Sequence, residues 1–235
     1  GDSVEDGAKI VQAALDHFGR LDIVINNAGV LRDAAFHKMT DEDWNVIQRV
    51  HLNGAFQVTR AAWSHMRAQG YGRIVMTASG AGVYGNFGQA NYSAAKLGLF
   101  GLAQTLAVEG RAKNVLVNAI APVAASRLTQ AVLPKEVLAV LKPVLVTPLV
   151  LFLASESCRD TGQLFEVGGG CIARLRWERS AAVAFDSTKE FSPEQVADAW
   201  STLQSFENGD HPASVADSFA LIGKHAGIKL QLAPQ

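Results

Sequence analysis

Residues 79 to 96 read S-G-A-G-V-Y-G-N-F-G-Q-A-N-Y-S-A-A-K, and this run decides which fold the chain can adopt. Directly before it stands Arg73–Thr77, a short apolar run with β-branched residues that is typical of a buried strand. After the glycines, Ala90–Glu109 has the length and composition of a helix. The region therefore predicts a strand, a glycine-rich loop and a helix in succession.

The same alternation of strands and helices extends to both sides of this region. Three further buried strands are predicted, at Leu21–Ile25, Asn114–Ile120 and Gln163–Val167. The last of them is expected to close the sheet at the glycines 168–170. Helices are predicted from Ser3 to Phe18, from Thr40 to about Ala68, and after Pro134 and Pro148. Buried strands separated by helices indicate an α/β fold, with a doubly wound parallel sheet covered by helices on both faces.

The character of the sequence changes after Arg179. Residues 180–235 carry two helical patterns, at about 193–206 and 214–227, and no run of the kind that forms a buried strand. We therefore expect a sheet-containing domain over residues 1–179 and a helical C-terminal extension over residues 180–235.

The composition excludes several classes of protein. Hydrophobic residues make up 49% and charged residues 18% of the chain, which suits a packed core and not a disordered chain. The formal net charge of −1 gives no reason to expect a nucleic acid or a membrane surface as partner. Cys158 and Cys171 provide neither a disulfide framework nor zinc-ligand spacing, so we expect no metal. No apolar run reaches the roughly 20 residues of a membrane span, and neither end resembles a targeting signal.

Tyr92 and Lys96 stand four residues apart, a spacing that places both on one face of a helix. A tyrosine with the usual pKa of ~10 is a poor base at neutral pH. A neighbouring ammonium favours the phenolate and lowers that pKa. Such a tyrosine can take a proton from a substrate hydroxyl while hydride leaves the carbon. Ser79, just past the end of a predicted strand, can hold the substrate oxygen by a hydrogen bond.

Small and polar residues also follow the other predicted strands. Asn26–Gly29 comes after the first strand, and Ala121–Thr129 comes after the third. In an open parallel sheet, ligands bind at the carboxyl ends of the strands. We therefore expect a crevice at this edge that is lined by several loops.

On these residues the chain resembles the short-chain dehydrogenase/reductase family, whose members have a Rossmann-like sheet. Ser79, Tyr92 and Lys96 match the family's catalytic serine, tyrosine and lysine in order and spacing. The resemblance implies that Tyr92 is the general acid or base and that Ser79 positions the substrate oxygen. It also implies that Lys96 contacts the nicotinamide ribose and lowers the pKa of the tyrosine.

Two further segments resemble cofactor-binding parts of that family. Asn26-Asn-Ala-Gly29 matches its N-N-A-G signature, which implies that Asn26, Ala28 and Gly29 lie beside the cofactor's adenosine. The segment that runs from Pro122 to Thr129 resembles the loop that meets the nicotinamide and the pyrophosphate. The cofactor implied is NAD, with NADP as the alternative.

Within the family, the stretches 50–63, 84–99 and 175–179 are similar to the (3R)-hydroxyacyl-CoA dehydrogenases. This resemblance implies NAD-dependent oxidation of (3R)-3-hydroxyacyl-CoA to 3-ketoacyl-CoA in fatty-acid β-oxidation, by a homodimer. It implies a peroxisomal protein in a eukaryote and a cytoplasmic one in a bacterium. Asn86 and Gln89, in the loop before Tyr92, are then candidate contacts to the acyl-CoA substrate.

The sequence departs from the family pattern at two places. Family members begin with a strand, a T-G-x-x-x-G-x-G turn and a helix that holds the pyrophosphate, and nothing here matches that turn. Either the sequence is a portion of a longer protein, or the chain cannot bind a dinucleotide in the usual way. Where many members have an asparagine that supports a relay water, this sequence has His51, which makes His51 a candidate relay residue.

Two other functions stay open on the sequence alone. One is an NADPH-dependent 3-oxoacyl reductase, which a measured cofactor preference would distinguish. The other is a non-catalytic scaffold or dimerisation module derived from the fold. The missing glycine-rich turn favours the scaffold, whereas the intact Ser79, Tyr92 and Lys96 favour an enzyme.

Overall fold

Five strands form one mixed sheet in the computed structural model, which describes residues 6–125 and 134–228. The strands are β1 (Ile23–Asn26), β2 (Gly72–Thr77), β3 (Val115–Pro122), β4 (Leu164–Gly168) and β5 (Cys171–Leu175). They lie in chain order, with β1 to β4 parallel and β5 antiparallel to β4. The predicted α/β fold with a parallel sheet is confirmed, with one antiparallel strand added at an edge.

The glycines at 168–170 lead into β5 and do not end the sheet. Gly169 and Gly170 have φ angles of 57° and 85°, which suit a tight two-residue hairpin. The prediction that Gln163–Val167 is the last strand is therefore wrong. Four of the five residues of β5 are exposed, so this strand lacks the continuous apolar run by which a buried strand is recognised.

Helices fill the connections between the strands and the region that follows them. They are α1 (Gly7–Phe18), α2 (Asp41–Ile47), α3 (Gly54–Gln69), α4 (Gly80–Tyr84), α5 (Ala90–Gly110), α6 (Lys135–Val140), α7 (Thr147–Ala154), α8 (Pro193–Asp198), α9 (Trp200–Gln204) and α10 (Val215–Ala226). Ser3, the predicted start of the first helix, lies outside the described residues. The sequence did not predict α4, because a helix of five residues is too short to show a periodicity. None of the described helices is long and apolar enough to cross a membrane.

Two apolar clusters bind helices to opposite faces of the sheet. On one face, Ile74 and Met76 of β2 pack with residues of α3 and α5. On the other face, Val75 of β2 packs with Leu149 and Leu153 of α7. Successive residues of a strand point to opposite faces, so β2 is buried on both sides. This confirms the predicted layer of helices on each face.

The long helical stretch predicted from Thr40 is interrupted by a π-helical turn. Thr40 and Asp43 form a capping box at the start of α2. After α2 the chain makes the π-helical turn Gln48–Asn53 and then continues as α3. The break predicted near Gly54 is this turn. Such turns are frequent at functional sites, and this one carries the buried His51.

A second compact unit begins at Arg176 and contains α8, α9 and α10. Capping boxes at Ser192 and Ser214 begin α8 and α10. Within this unit, Arg179 and Asp210 are joined by a backbone bridge and by an ion pair of 2.6 Å between Nη2 and Oδ2. The domain boundary after Arg179 stays a prediction, a few residues beyond this division.

Two glycines of α5 provide a test of how closely this helix packs on the sheet. A Cβ atom on Gly110 would overlap the carbonyl oxygen of Val115, whereas one on Gly101 would meet nothing within 4 Å. We expect Gly110→Ala to lower the free energy of unfolding by about 1–3 kcal/mol through overpacking. Gly101→Ala should raise it by about 0.5–1 kcal/mol, because alanine favours the helix. Denaturant unfolding measures both, and a change of the same sign in the two variants would contradict this packing.

Candidate active site

The carboxyl ends of three neighbouring parallel strands lie at one edge of the sheet, where the site is built. Asn26 is the last residue of β1, Thr77 of β2 and Pro122 of β3. The crevice predicted from the sequence would lie at this edge, and it stays a prediction. Thr129, the other residue predicted to meet the cofactor beyond β3, lies outside the described residues.

Ser79 leaves the end of β2 and is the N-cap of α4. Its Oγ accepts a hydrogen bond of 3.2 Å from the backbone N–H of Ala81, which holds the side chain in place. Its side chain lies close enough to Tyr92, the third residue of α5, to lower the pKa of the phenol. The structure thus brings together two of the three residues predicted to be catalytic.

Lys96 lies one helical turn after Tyr92 and is 3% exposed. Its Nζ donates to the carbonyl oxygen of Thr77 at 2.6 Å and stands 5.4 Å from the centre of the Tyr92 ring. Burial lowers the pKa of Lys96 to about 8. Within the described residues this bond uses one of the three N–H groups of the ammonium, which leaves two for a ligand beside Tyr92.

Burial raises the pKa of the Tyr92 phenol. The interaction with Ser79 lowers this pKa by less, and the charge of Asp33 raises it further. The sequence predicts the reverse, a pKa lowered by Lys96. The difference has a physical reason, since the phenol is itself removed from water and the ammonium is bonded to a carbonyl. Tyr92 is therefore a neutral phenol near neutral pH.

His51, the candidate relay residue, lies against Tyr92. Its ring meets the Tyr92 ring edge-on with 5.1 Å between centroids, and its Nε2 lies 2.7 Å from the carbonyl oxygen of Val30. Burial, aided by the charge of Lys96, lowers the pKa of His51 to about 4, so the ring is neutral at neutral pH. Its Nδ1 is buried and has no partner among the described residues.

The ring of His51 packs against the N-N-A-G segment at Gly29. A Cβ atom on Gly29 would lie 2.5 Å from Cε1 of His51, so a glycine is required where the loop passes the ring. The Asn26 side chain points inward and donates to Thr59 Oγ1 at 2.9 Å. Asn26 thus secures the end of β1, while Ala28 and Gly29 are exposed at the same edge of the sheet.

The two residues predicted to contact the substrate are bonded to each other. Nδ2 of Asn86 donates to Oε1 of Gln89 at 2.9 Å, and Nε2 of Gln89 donates to Oδ2 of Asp33 at 2.9 Å. Asp33 lies four residues after Gly29, so these bonds join the loop before Tyr92 to the loop after the N-N-A-G segment. Substrate contact by Asn86 and Gln89 stays a prediction.

Sequence reasoning missed Thr77, Asp33 and Asn91, which all take part in this site. Thr77 acts through its main-chain carbonyl, which no residue pattern marks. Asp33 acts through its charge on Tyr92 across a gap of 59 positions in the chain. Asn91 is fully buried beside Tyr92, and its position next to the catalytic tyrosine was the one available signal.

The described residues suit the nicotinamide end of a dinucleotide. Lys96 offers N–H groups and Tyr92 a hydroxyl at the carboxyl edge, and the buried Nδ1 of His51 has no hydrogen-bond partner in the described part of the chain. The exposed backbone at Ala28 and Gly29 lies on the same edge. No group of three or more His, Cys, Asp or Glu residues within 6–125 and 134–228 could hold a metal ion.

Comparison with known proteins places the chain among the short chain dehydrogenases, whose family model matches residues 2–136. It is 56% identical over 218 residues to peroxisomal multifunctional enzyme type 2 of Mus musculus, which covers 92% of this chain and 30% of that protein. It is 53% identical over 217 residues to peroxisomal multifunctional enzyme A of Dictyostelium discoideum, covering 92% of this chain and 48% of that protein.

A solved structure agrees with these relatives. Full-length peroxisomal multifunctional enzyme type 2 from Drosophila melanogaster aligns with a TM-score of 0.85 at 38% identity, covering 97% of this chain and 40% of that one. The chain therefore spans less than half the length of each of these three proteins.

Asp33→Asn tests the electrostatics of the tyrosine, because it removes the charge and keeps an oxygen for the bond from Gln89. Since the charge of Asp33 raises the pKa of Tyr92, we expect that pKa to fall in the variant. Absorbance titration of the phenolate measures it, with Tyr92→Phe identifying the signal. Asp22→Asn, at the amino end of β1, is the matched control. An unshifted Tyr92 signal in Asp33→Asn would refute this assignment.

His51→Gln tests the neutral histidine through the pH dependence of stability. The pKa of His51 is about 4 in the folded chain and about 6.5 in the unfolded chain, which therefore binds the proton more readily. The stability is fully present above pH ~6.5 and is lost as the pH falls towards 4. The loss is about 2 kcal/mol from pH ~7.5 to pH ~5.

Glutamine keeps an N–H donor for Val30 and does not titrate, so the variant should lose less stability over this interval. Denaturant unfolding at several pH values checks the expectation. Identical pH dependence in the two proteins would show that His51 is not held neutral.

Proposed function

The chain belongs to the short-chain dehydrogenase family, and on that premise we propose that it oxidises (3R)-3-hydroxyacyl-CoA to 3-ketoacyl-CoA with NAD. One observation carries the proposal: Ser79 lies beside Tyr92, and Lys96 is buried one turn further along α5. The similarity to two peroxisomal multifunctional enzymes supports the substrate class and a role in peroxisomal β-oxidation.

In this reaction Ser79 holds the substrate oxygen and Tyr92 exchanges the proton. The Oγ of Ser79, oriented by the N–H of Ala81, hydrogen-bonds the substrate hydroxyl. In its phenolate form, Tyr92 then takes the hydroxyl proton on its phenolic oxygen as hydride leaves the adjacent carbon. A bound nicotinamide nucleotide would accept that hydride and, in its oxidised form, add a positive charge that favours the phenolate. In the opposite direction the neutral Tyr92 donates its proton to the keto oxygen.

Lys96 has two tasks in the proposal. Its bond to the Thr77 carbonyl fixes the ammonium, and its other two N–H groups are directed to a ribose hydroxyl of the nicotinamide. Ala28 and Gly29 are proposed to lie against the adenosine, and Pro122 and Thr129 against the nicotinamide side. Asn26 supports this edge from within through its bond to Thr59.

His51 is proposed as the relay residue at the position where many family members have asparagine. The Nε2 atom is closer to the Val30 carbonyl oxygen, at 2.7 Å, than to the Val30 N–H nitrogen, at 3.2 Å, so we assign the tautomer in which Nε2 donates to that carbonyl. In this tautomer Nδ1 is an acceptor for a water molecule near Lys96. With a pKa of about 4, His51 keeps this acceptor over the whole neutral range.

Two alternatives are separated from the proposal by simple measurements. A 3-oxoacyl reductase would use the same three residues, with a kcat/KM for NADPH well above that for NADH. A scaffold would bind neither NAD nor NADP in a calorimetric titration.

We further propose a homodimer acting in the peroxisome, as the resemblance implies. Because the chain spans less than half of its relatives, each assay uses the intact protein.

Tyr92→Phe tests the proton-transfer role directly. The change removes one hydroxyl, so we expect kcat with a (3R)-3-hydroxyacyl-CoA to fall about 10²–10⁴-fold, the range for a lost general acid or base. Tyr71→Phe is the matched control, since Tyr71 precedes β2 at the opposite end of the strand and stacks on Arg73. Thermal unfolding should be similar in both variants. Turnover that survives in Tyr92→Phe would refute the mechanism.

A further inference from the structure

Asn91, the residue before the catalytic tyrosine, is fully buried and joins three segments of the chain. Its Nδ2 donates to the carbonyl oxygens of Arg32 at 2.9 Å and Asp43 at 3.1 Å. Its Oδ1 accepts from the backbone N–H of Tyr92 at 2.7 Å. Both N–H groups of the side-chain amide are thus used, and its oxygen is bonded to the backbone of Tyr92 itself.

The start of α5 depends on these bonds. The first N–H groups of a helix have no partner within the helix, and Gln89 at the N-cap makes no side-chain capping bond. Tyr92 lies in this first turn, where helices fray. Asn91 supplies the missing acceptor for Tyr92, and Gln48 donates to the Asn91 carbonyl at 2.8 Å from the π-helical turn.

We propose that Asn91 is a positioning residue, which holds Tyr92 in register with the loop that follows the N-N-A-G segment. This inference rests on the proposed function, because it assigns Asn91 to the same proton-transfer step. Arg32 lies three residues after Gly29, so the bond to its carbonyl ties the first turn of α5 to that loop. A second tie runs beside it, from the N–H of Ala34 to the carbonyl of Gly88 at 2.9 Å.

The rate of the proposed proton transfer depends on how closely these bonds hold Tyr92 in place. A misplacement of about 1 Å in a catalytic group can cost about 10²-fold in rate. Without the Asn91 amide, the carbonyl groups of Arg32 and Asp43 each lose a hydrogen bond, and the N–H of Tyr92 loses its acceptor. We expect the single-turnover rate of hydride transfer to fall about 10–100-fold, with the Kd for NAD changed less than about threefold.

The experiment compares Asn91→Asp and Asn91→Ala in the intact protein. Aspartate keeps the shape and the acceptor for Tyr92 but cannot, when ionised, donate to the carbonyls of Arg32 and Asp43. Alanine removes all three bonds. If Asn91→Asp does not fold, Asn91→Ser takes its place, since its hydroxyl can donate to one of the carbonyls.

Asn118→Asp is the matched control for a buried asparagine. Asn118 is 1% exposed in β3, and its side chain also bridges two backbone groups, the carbonyl of Asp160 at 2.8 Å and the N–H of Gln163 at 3.1 Å. It should lose stability as the Asn91 variants do. Rates are measured at a temperature where thermal unfolding finds each variant folded, and are expressed per folded molecule.

A readout that needs no substrate is amide hydrogen exchange at Tyr92. In Asn91→Ala we expect faster exchange at the N–H of Tyr92, while the middle of α5 keeps its protection. A rate loss in the Asn91 variants, absent from Asn118→Asp and accompanied by this faster exchange, supports the inference. Wild-type rates in both Asn91 variants, or an equal loss in Asn118→Asp, overturn it.

If the wild-type protein itself does not turn over the hydroxyacyl thioester, the proposed function fails and the exchange data decide on Asn91. Faster exchange confined to the start of α5 then supports its positioning role. Unchanged protection of Tyr92 overturns it.

Discussion

The buried hydrogen bond from the Lys96 ammonium to the Thr77 carbonyl, 2.6 Å long, ties the catalytic helix to the central strand. An ammonium taken out of water requires a strong acceptor, and the last carbonyl of β2 provides it. Since Tyr92 lies one turn earlier on the same helix face, this bond also sets the phenol over the point where the chain leaves β2. Ser79 is two residues beyond Thr77, so its hydroxyl meets the phenol there.

Burial sets the protonation states of Tyr92, Lys96 and His51. Burial keeps Tyr92 protonated, lowers the pKa of Lys96 to about 8, and keeps His51 neutral with a pKa of about 4. The protein by itself therefore holds a proton on the phenol, which is the form that can donate it. In the proposed reaction, an oxidised nicotinamide would add the positive charge beside Tyr92 that favours the phenolate. The buried side chains and the cofactor would then set the balance between oxidation and reduction together.

The loops around the site act as one cross-linked body. His51 occupies the space beside Gly29, which gives a steric reason for the glycine of the N-N-A-G segment. Further along the same loop, Asp33 is bonded by Gln89, and the Arg32 carbonyl is bonded by Asn91. A shift of the loop would therefore displace both the segment before Tyr92 and the first turn of α5. These bonds limit the movement of the loops that surround Tyr92.

The α/β class, four of the five strands and the pairing of Tyr92 with Lys96 could be predicted from the sequence, because these follow from local periodicity and from spacing along one helix. Ser79 was added to this pair by its place after a predicted strand and by the family resemblance. The sequence did not reveal β5, whose exposed residues lack a buried strand's pattern. Only the tertiary structure decided that the pKa of Tyr92 is raised, since burial and Asp33 act on it from outside its own helix. It alone likewise placed His51 against Gly29 and Asn91 against Arg32, because such contacts join residues that are 22 and 59 positions apart in the chain.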